Sequence, residues 1–151
     1  RYQSETSSSL PAQVLMYFNV MFSIIYFIME GSLVIMKMSQ YVFDSPLQRI
    51  VCAPAFMIWA LVEVFRLYFG YSGNIEEMVP QMTAFVLMTV FPQSLVVLYL
   101  TTFQEFVFPA DAAMGGTMLA LLAAETVAGA GAVRSIARKR TAQFHRMVQT
   151  E

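Results

Sequence analysis

Glutamate and arginine side chains lie inside long apolar runs of this sequence, where ionisable groups are rare and usually functional. Glu63 and Arg66 are three residues apart, so on a helix they share a face and can form an ion pair. Glu30 and Glu125 lie within two other apolar runs. Carboxylates at such positions can relay protons or bind ions. One hypothesis is therefore a small ion or proton channel or transporter that uses Glu30, Glu63 and Glu125.

A structural role for Glu63 and Arg66 is the alternative, and it is the interpretation that we favour. The ion pair would fix the packing of its helix against a neighbour, whereas a conduction path needs several polar groups in line. Arg66 lies near the expected end of its helix, so its side chain could instead extend towards the lipid headgroups. The spacing nevertheless predicts a structural ion pair between Glu63 and Arg66.

The remaining residues give no support for a metal site or an enzyme. Di-metal carboxylate sites in helical bundles combine glutamates with histidines, but His145 is the only histidine and lies far along the chain from Glu30 and Glu63. Cys52 is the only cysteine, so a zinc site would need ligands from another chain. The sequence contains no glycine-rich phosphate loop and no nucleophile motif. We therefore expect a non-catalytic protein without a cofactor.

The composition of the 151-residue chain indicates a membrane protein. Hydrophobic residues make up 58% and charged residues 13%, with a mean hydropathy of +0.59, whereas a soluble domain carries about 25% charged residues. Four apolar runs, roughly 11–36, 47–70, 80–103 and 112–133, each approach the ~20 residues that cross a bilayer. Short links favour antiparallel neighbours. We predict an all-α integral membrane protein, with an antiparallel four-transmembrane-helix bundle over residues 11–134. The net charge of −1 argues against a nucleic-acid partner.

Polar segments flank this predicted domain. Residues 1–10 are typical of a polar tail, and Ser9 followed by Pro11 is typical of a helix start. Residues 135–151 are basic and amphipathic, which predicts a helix lying on the membrane surface; a solvated helical tail is the alternative. The residues predicted to bind anionic lipid headgroups are Arg138, Lys139, Arg140 and Arg146. An even number of spans, together with this basic cluster, places both termini on the cytoplasmic or matrix side.

Small residues predict two further features. After the second apolar run, Gly70, Gly73 and Asn74 are predicted to form a tight turn at the helix exit, where glycine allows a positive φ. The fourth run carries a small residue at every fourth position, which lets another helix approach closely. This predicted packing ridge consists of Gly116, Ala120, Ala124, Ala128 and Ala132. Its partner is either another part of this chain or another membrane subunit.

Three stretches of the chain resemble one known family. They are Ser8-Ser9-Leu10-x-x-Gln13-x-x-x-Tyr17-Phe18-Asn19, then Glu63-x-x-Arg66-Leu67-Tyr68-x-Gly70-Tyr71-x-Gly73-Asn74 followed by Glu77 and Val79-Pro80, and finally Phe144-His145 after the basic segment. The second stretch is the most specific, because its polar residues, its glycines and their spacing agree together. With these motifs the chain resembles the transmembrane protein 17 family, whose relatives include transmembrane proteins 216 and 80. The resemblance covers nearly the whole sequence, from Ser8 to Arg146.

The resemblance implies a four-span protein of the ciliary transition zone, where family members help gate membrane traffic into the cilium. It also implies a scaffold role without enzyme activity, in which the partners are other membrane protein subunits. The Met- and Ala-rich spans and the glycine-rich fourth run depart from the vertebrate pattern. The alternative setting is therefore an organellar complex, with the chain as an accessory subunit of a mitochondrial respiratory assembly in the inner membrane.

Overall fold

Five α-helices form four antiparallel spans in the computed structural model, which describes the backbone of residues 8–149 and the side chains of residues 8–145. The helices are α1 (Leu10–Gln40), α2 (Pro46–Ile75), α3 (Val79–Met88), α4 (Ser94–Leu98) and α5 (Pro109–Gln149). Two π-helical segments, Thr89–Gln93 and Tyr99–Phe103, join α3 and α4 into a third span, Val79–Phe103. Four segments are long and apolar enough to cross a membrane, which confirms the predicted all-α, four-span fold.

The spans form a closed ring of neighbours. Helix α1 packs against α2 and α5, and the third span packs against the same two helices from the other side. At the start of α1, the Ser9 hydroxyl accepts a hydrogen bond from the Ala12 backbone N–H, and Pro11 lies in the first turn as predicted. The links between spans are short, which forces each span to run antiparallel to the one before it.

The inward faces of the helices carry polar as well as apolar residues, whereas the outward faces are mainly large and apolar. On α1 the buried positions recur every three or four residues and include Asn19, Ser23 and Glu30. Ile24 and Ile28 lie between them on the outer face and are exposed. A helix of a soluble bundle has the opposite arrangement. The arrangement in this bundle suits a lipid environment. Lipid solvates the apolar side chains on the outside, and ionisable groups are more stable when they face the protein interior.

The third span is interrupted at Pro92. Phe91, immediately before the proline, has extended backbone angles (φ −145°, ψ 123°) inside an otherwise helical segment. Two hydroxyls occupy carbonyls around the break: Thr89 donates to the Phe85 carbonyl at 2.7 Å, and Ser94 donates to the Thr89 carbonyl at 2.6 Å. Both carbonyls also accept a backbone N–H, from Thr89 and Ser94 respectively, so the hydroxyls add second donors beside the break.

Helices α1 and α5 extend well beyond the bounds predicted from the sequence. Helix α1 continues to Gln40, so Lys37 lies within the helix and not in a link. Helix α5 begins at Pro109, which places Asp111 in its first turn. Helix α5 also continues unbroken to Gln149, so residues 135–149 are not a separate helix on the membrane surface, and that prediction is wrong. The sequence from 132 to 149 contains neither glycine nor proline, so nothing ends the helix there. Residues 1–7, which make up most of the predicted polar tail, and residues 150–151 lie outside the described backbone.

Candidate functional site

Seven buried polar side chains meet near the middle of the bundle and form what we call the central cluster. Its members are Asn19, Ser23, Glu63, Arg66, Thr89, Gln93 and Glu125. They come from all four spans: two from α1, two from α2, two from the π-helical segment Thr89–Gln93 and one from α5. Each residue lies on the face of its helix that is turned towards the bundle interior. Residues that are distant in sequence therefore meet inside the bundle.

Arg66 is the centre of this cluster. Its Nη2 lies 2.8 Å from Glu63 Oε1 and 2.9 Å from Glu63 Oε2, and its Nε lies 3.1 Å from Oε2. The predicted Glu63–Arg66 pair is therefore present as a multiply hydrogen-bonded contact along α2. Arg66 Nη1 also donates to Glu125 on α5 and, at 3.3 Å, to the Thr89 hydroxyl. The planar guanidinium thus binds carboxylates on two different helices.

Neutral side chains supply further donors to both carboxylates. Ser23 Oγ donates to Glu63 Oε1 at 2.6 Å, and Gln93 Nε2 donates to Glu63 Oε2 at 2.7 Å. Asn19 Nδ2 donates to Glu125 Oε2 at 2.9 Å. These bonds connect α1, α2, the third span and α5 through a single network. A buried charge needs this kind of support, because removal from water is unfavourable unless the remaining lone pairs are satisfied.

A second polar group lies closer to the Gln40 end of α1, and we call it the Lys37 cluster. Its members are Glu30, Lys37, Cys52, Gln104 and Asp111, all of them buried. Lys37 Nζ donates to Asp111 Oδ2 at 2.8 Å and to Gln104 Oε1 at 2.8 Å. The Phe108 backbone N–H adds a bond of 2.6 Å to the same Asp111 oxygen. This cluster joins α1 to the start of α5 and to the end of the third span.

Each cluster leaves two acceptor oxygens of its own members without a hydrogen-bond partner among the described residues. Glu30 Oε1, Asp111 Oδ1 and the neighbouring Tyr26 hydroxyl are buried and have no hydrogen-bond partner within the described residues. In the central cluster the corresponding atoms are Glu125 Oε1 and the acceptor oxygen of Gln93. Most buried polar atoms in proteins have a partner. The two clusters leave equal numbers of acceptors unpartnered, and they differ in the number of neutral donors that surround their carboxylates.

An apolar and aromatic layer separates the two clusters along the bundle. On every span, a buried residue of one hydrophobic core lies between the positions that enter the two clusters. These residues are Tyr26, Trp59, Val97 and Leu122. Consequently Glu63 and Glu125 belong to one polar layer, and Glu30 belongs to another. In the described part of the chain, no group of three or more His, Cys, Asp and Glu side chains is placed to hold a metal ion.

The predicted exit turn at Gly70, Gly73 and Asn74 is wrong, because α2 continues through all three residues to Ile75. None of the described glycines has a positive φ; Glu77 adopts that conformation instead, with φ 53°. The two glycines serve close approach. A Cβ on Gly70 would lie 2.7 Å from the Phe85 ring, and a Cβ on Gly73 would lie 2.6 Å from the Met82 backbone nitrogen. Both therefore let the third span pack tightly against α2.

Asn74 ties the beginning of α1 to the end of α2. Its Oδ1 accepts from the Ser9 backbone N–H at 2.9 Å, and its Nδ2 donates to Gln13 Oε1 at 2.8 Å. The residue is 1% exposed. Asn74 therefore makes a link between helices, a role that its position beside Gly73 did not indicate.

The predicted ridge on α5 is only partly an inward packing surface. Ala132 is buried and Ala128 packs beside it, whereas Gly116 and Ala120 are exposed, and a Cβ on Gly116 would meet nothing within 4 Å. A spacing of four residues drifts about 40° around a helix at each step, so the ridge winds from the outside to the inside. The inward stripe repeats every three or four residues instead, and its members are Asp111, Gly115, Met118, Leu122, Glu125, Gly129, Ala132 and Ile136.

The basic residues at the end of α5 have mixed surroundings. Lys139 Nζ pairs with Glu77 Oε2 at 2.5 Å, and Arg140 Nη2 donates to the Glu77 carbonyl oxygen at 3.3 Å. Arg138 and Arg140 are exposed and follow Ile136, the last buried position among the described side chains. Binding of anionic headgroups at Arg138, Lys139 and Arg140 stays a prediction. The fourth residue of that prediction, Arg146, has its side chain outside the described residues.

Together these features define a class: a four-span membrane protein whose ionisable side chains face one another inside the bundle. The chain belongs to the transmembrane protein 17 family, because the family model, described as a predicted membrane protein, matches residues 14–122. This match confirms the resemblance drawn from the three sequence motifs.

Relatives of known name match over most of the chain. Transmembrane protein 17A of Danio rerio is 30% identical over 143 residues, which are 94% of this chain and 64% of that protein. Transmembrane protein 17 of Gallus gallus is 37% identical over 100 residues, 66% of this chain and 47% of the relative. Transmembrane protein 17 of Homo sapiens is 28% identical over 145 residues, 95% of this chain and 71% of the relative. The chain thus spans about half to two thirds of the length of the first two relatives. No solved structure matches it.

Proposed function

We propose that the chain is a non-catalytic structural subunit of a larger membrane protein complex. Support comes from the central cluster, in which Arg66 contacts Glu63 and Glu125, and neutral donors from α1 and the third span contact both carboxylates. Charged groups that already bind each other stabilise a particular packing of helices. A rigid four-span bundle of this kind suits a scaffold, and its broad apolar outer faces suit contacts in the plane of the membrane.

The setting that we propose is the ciliary transition zone, where the chain would contribute to the gate that controls membrane traffic into the cilium. Support comes from membership of the transmembrane protein 17 family. The alternative setting is an accessory subunit of an organellar complex, such as a mitochondrial respiratory assembly. In either setting we propose that both termini face the cytoplasm or matrix, with the exposed Arg138 and Arg140 near anionic headgroups.

Tagging the protein in its own cell tests both parts of the proposal. Fluorescence microscopy should place it at the base of the cilium, and mass spectrometry of the gently solubilised protein should identify other membrane proteins that co-purify with it. Signal confined to mitochondria would favour the organellar setting. A partner-free monomer whose loss leaves every membrane complex intact would refute the structural role.

A channel or transporter that uses Glu30, Glu63 and Glu125 is the competing proposal from another class. The buried layer formed by Tyr26 and its neighbours lies between Glu30 and the other two glutamates, which favours the scaffold. Flux through reconstituted vesicles that disappears in Glu63→Gln would favour the channel. Flux equal to that of empty vesicles would eliminate it.

A further inference from the structure

Glu30 differs from the other buried carboxyl groups in having no cation beside it. The described residues include four buried carboxyl groups, and Glu30 is the only one of them that makes no ion pair; the other three pair with Arg66 or Lys37. Glu30 is 1% exposed, and its Oε1 has no hydrogen-bond partner within the described residues. An ionised carboxylate buried without a cation is so unfavourable that the group takes up a proton instead.

The surroundings of Glu30 favour such a proton. The titratable and charged groups near it, together with one amide, are Tyr26 and Lys37 on α1, Cys52 on α2, Gln104 directly after the third span and Asp111 on α5. Lys37, the cation of this set, donates to Asp111 and Gln104 and forms no ion pair with Glu30. With every carboxyl ionised, the Lys37 cluster would bury two negative charges with one positive charge. A proton on Glu30 removes this imbalance.

The Asp111 carboxylate provides the acceptor that this proton needs. Its Oδ2 accepts from Lys37 at 2.8 Å and from the Phe108 backbone N–H at 2.6 Å. Its Oδ1 is buried and has no donor within the described residues, and the side chain lies beside the Glu30 carboxyl. A neutral carboxylic acid has one O–H donor, whereas a carboxylate has none. An O–H on Glu30 is therefore the donor that Asp111 Oδ1 lacks.

The Tyr26 hydroxyl gives a second, independent indication. It belongs to a side chain that is 0% exposed, it has no partner within the described residues, and it lies near both Glu30 and Asp111. A phenol donates one hydrogen bond, and the second oxygen of a neutral Glu30 can accept it. Most buried polar groups in proteins have a partner. A single proton on Glu30 thus accounts for three unpartnered groups at once.

We propose that Glu30 is a neutral carboxylic acid in the folded bundle and donates its O–H to Asp111 Oδ1, which makes the Lys37 cluster a proton-binding site. The other Glu30 oxygen accepts from the Tyr26 hydroxyl. The proton is taken up from solvent as the bundle folds, because an exposed glutamate is ionised above about pH 4.3. The cluster then contains one ammonium, one carboxylate and one neutral acid, without net charge. The apolar layer separates this proton from the central cluster, so the proton stabilises the bundle and is not part of a path across it.

Infrared spectroscopy detects the proton directly, because a neutral carboxylic acid and a carboxylate absorb at different frequencies. The full chain is measured in micelles of a detergent without carbonyl groups, at about pH 6, where an exposed glutamate is ionised. We expect one carboxylic-acid band in the unmodified chain, and its loss in Glu30→Gln. Glu76→Gln replaces an exposed carboxyl and is the matched control, which should keep the band.

The pH dependence of stability supplies a second measurement. Above about pH 4.3 the folded chain binds one proton more than the unfolded chain, so stability falls as pH rises. Between about pH 5 and pH 7 this proton lowers the folding equilibrium constant by up to tenfold per pH unit. The fall should disappear in Glu30→Gln, whose neutral amide supplies an N–H donor in place of the O–H, and should persist in Glu76→Gln. At about pH 6, Glu30→Gln should be at least as stable as the unmodified chain.

Four results would overturn the proposal. One is the absence of a carboxylic-acid band from the unmodified chain, or its survival in Glu30→Gln. Another is an equal pH dependence of stability in the unmodified chain and in Glu30→Gln. The third is a Glu30→Gln chain that is less stable or does not fold at about pH 6, since the bundle would then require a negative charge at this position. The last is stability that rises with Na⁺ or K⁺ in the unmodified chain but not in Glu30→Gln, which would assign the site to a metal cation.

Discussion

Two carboxyl groups and one cation meet in each of the buried polar clusters, but the side chains around those groups differ. In the central cluster the Arg66 guanidinium reaches Glu63 and Glu125 on separate helices, while Ser23 and Gln93 add donors. In the Lys37 cluster the ammonium reaches one carboxylate and one amide, and the Phe108 backbone N–H adds one donor to that carboxylate. The two clusters therefore contain the same number of acidic and basic side chains but differ in the number of hydrogen bonds that stabilise those groups.

The difference follows from the geometry of the two cations. A guanidinium presents five N–H donors in a plane and can bridge two carboxylates, whereas an ammonium is a compact point charge with three donors. The central cluster also lies near the middle of the four spans, away from both ends of the bundle. We infer that the central cluster determines how the four spans pack, and that the Lys37 cluster fixes the bundle more locally, where α1 ends and α5 begins.

Removal of the Arg66 guanidinium should have the largest effect. Arg66→Met leaves Glu63 and Glu125 facing each other in a buried site, and we expect a loss of roughly 3–5 kcal/mol in the free energy of unfolding. Reversible unfolding in mixed micelles measures it. Arg66→Lys keeps the positive charge but loses the planar guanidinium that bridges two carboxylates, so it should recover only part of the loss. Unchanged stability in Arg66→Met would mean that the guanidinium does not hold the spans together.

Removal of the Lys37 ammonium should destabilise the protein less. Asp111 keeps its bond from the Phe108 backbone N–H, and Lys37 lies one turn from the end of α1, so we expect Lys37→Met to lower the free energy of unfolding by about 2 kcal/mol. The double variant Lys37→Met/Asp111→Leu removes both members of the Lys37–Asp111 ion pair and should recover most of this loss. A loss as large as that of Arg66→Met would abolish the distinction between the clusters.

A side chain at Gly73 should push the third span away from α2 and so loosen the spans that supply the central cluster. A Cβ there would lie 2.6 Å from the Met82 backbone nitrogen, and we expect Gly73→Val to destabilise by roughly 1–3 kcal/mol. Gly131→Val is the matched control, since a Cβ at Gly131 meets nothing within 4 Å. Thermal unfolding in micelles compares the two. Equal melting temperatures of Gly73→Val and Gly131→Val would show that the close packing of the third span against α2 does not contribute to stability.

The smallest effect should come from an ion pair at the end of the bundle. Lys139 and Glu77 are 23% and 18% exposed at their side chains, so water and salt reach the pair. We expect Lys139→Ala to lower the free energy of unfolding by at most about 1 kcal/mol, and by less as salt is added. A loss that exceeds this and is insensitive to salt would place the pair with the buried clusters.

Hydropathy was sufficient to predict four spans, because each apolar run is long enough to cross a bilayer. The three-residue spacing of Glu63 and Arg66 was likewise sufficient to predict their pairing, which lies within one helix. The partnership of Arg66 with Glu125 was not predicted, because it depends on which faces of α2 and α5 meet. A weaker signal was nevertheless present in the sequence. Asp111 and Glu125 are spaced to share one face of the fourth span, and Thr89 and Gln93 are spaced to share one face of the third. Polar residues on one face of an apolar helix indicate that this face points into the bundle.

The errors at Lys37 and Gly73 have a common physical cause. A lysine after an apolar run indicates the end of a membrane span, and paired glycines indicate a turn, when each residue is considered alone. In the structure Lys37 is buried where Asp111 and Gln104 accept hydrogen bonds from its ammonium. Gly73 lies within a helix, and its lack of a side chain lets the helix approach the backbone of Met82. Both outcomes depend on contacts with another helix, which local sequence does not specify.

A double-mutant cycle between Arg66 and Glu125 tests the central claim most directly, because these residues join α2 to α5. The cycle compares the free energies of unfolding of the unmodified chain, Arg66→Met, Glu125→Leu and the double variant. We predict a coupling energy of at least about 1 kcal/mol, with the double variant more stable than the sum of the single losses implies. Additive losses, with a coupling indistinguishable from zero, would contradict a structural role for the central cluster.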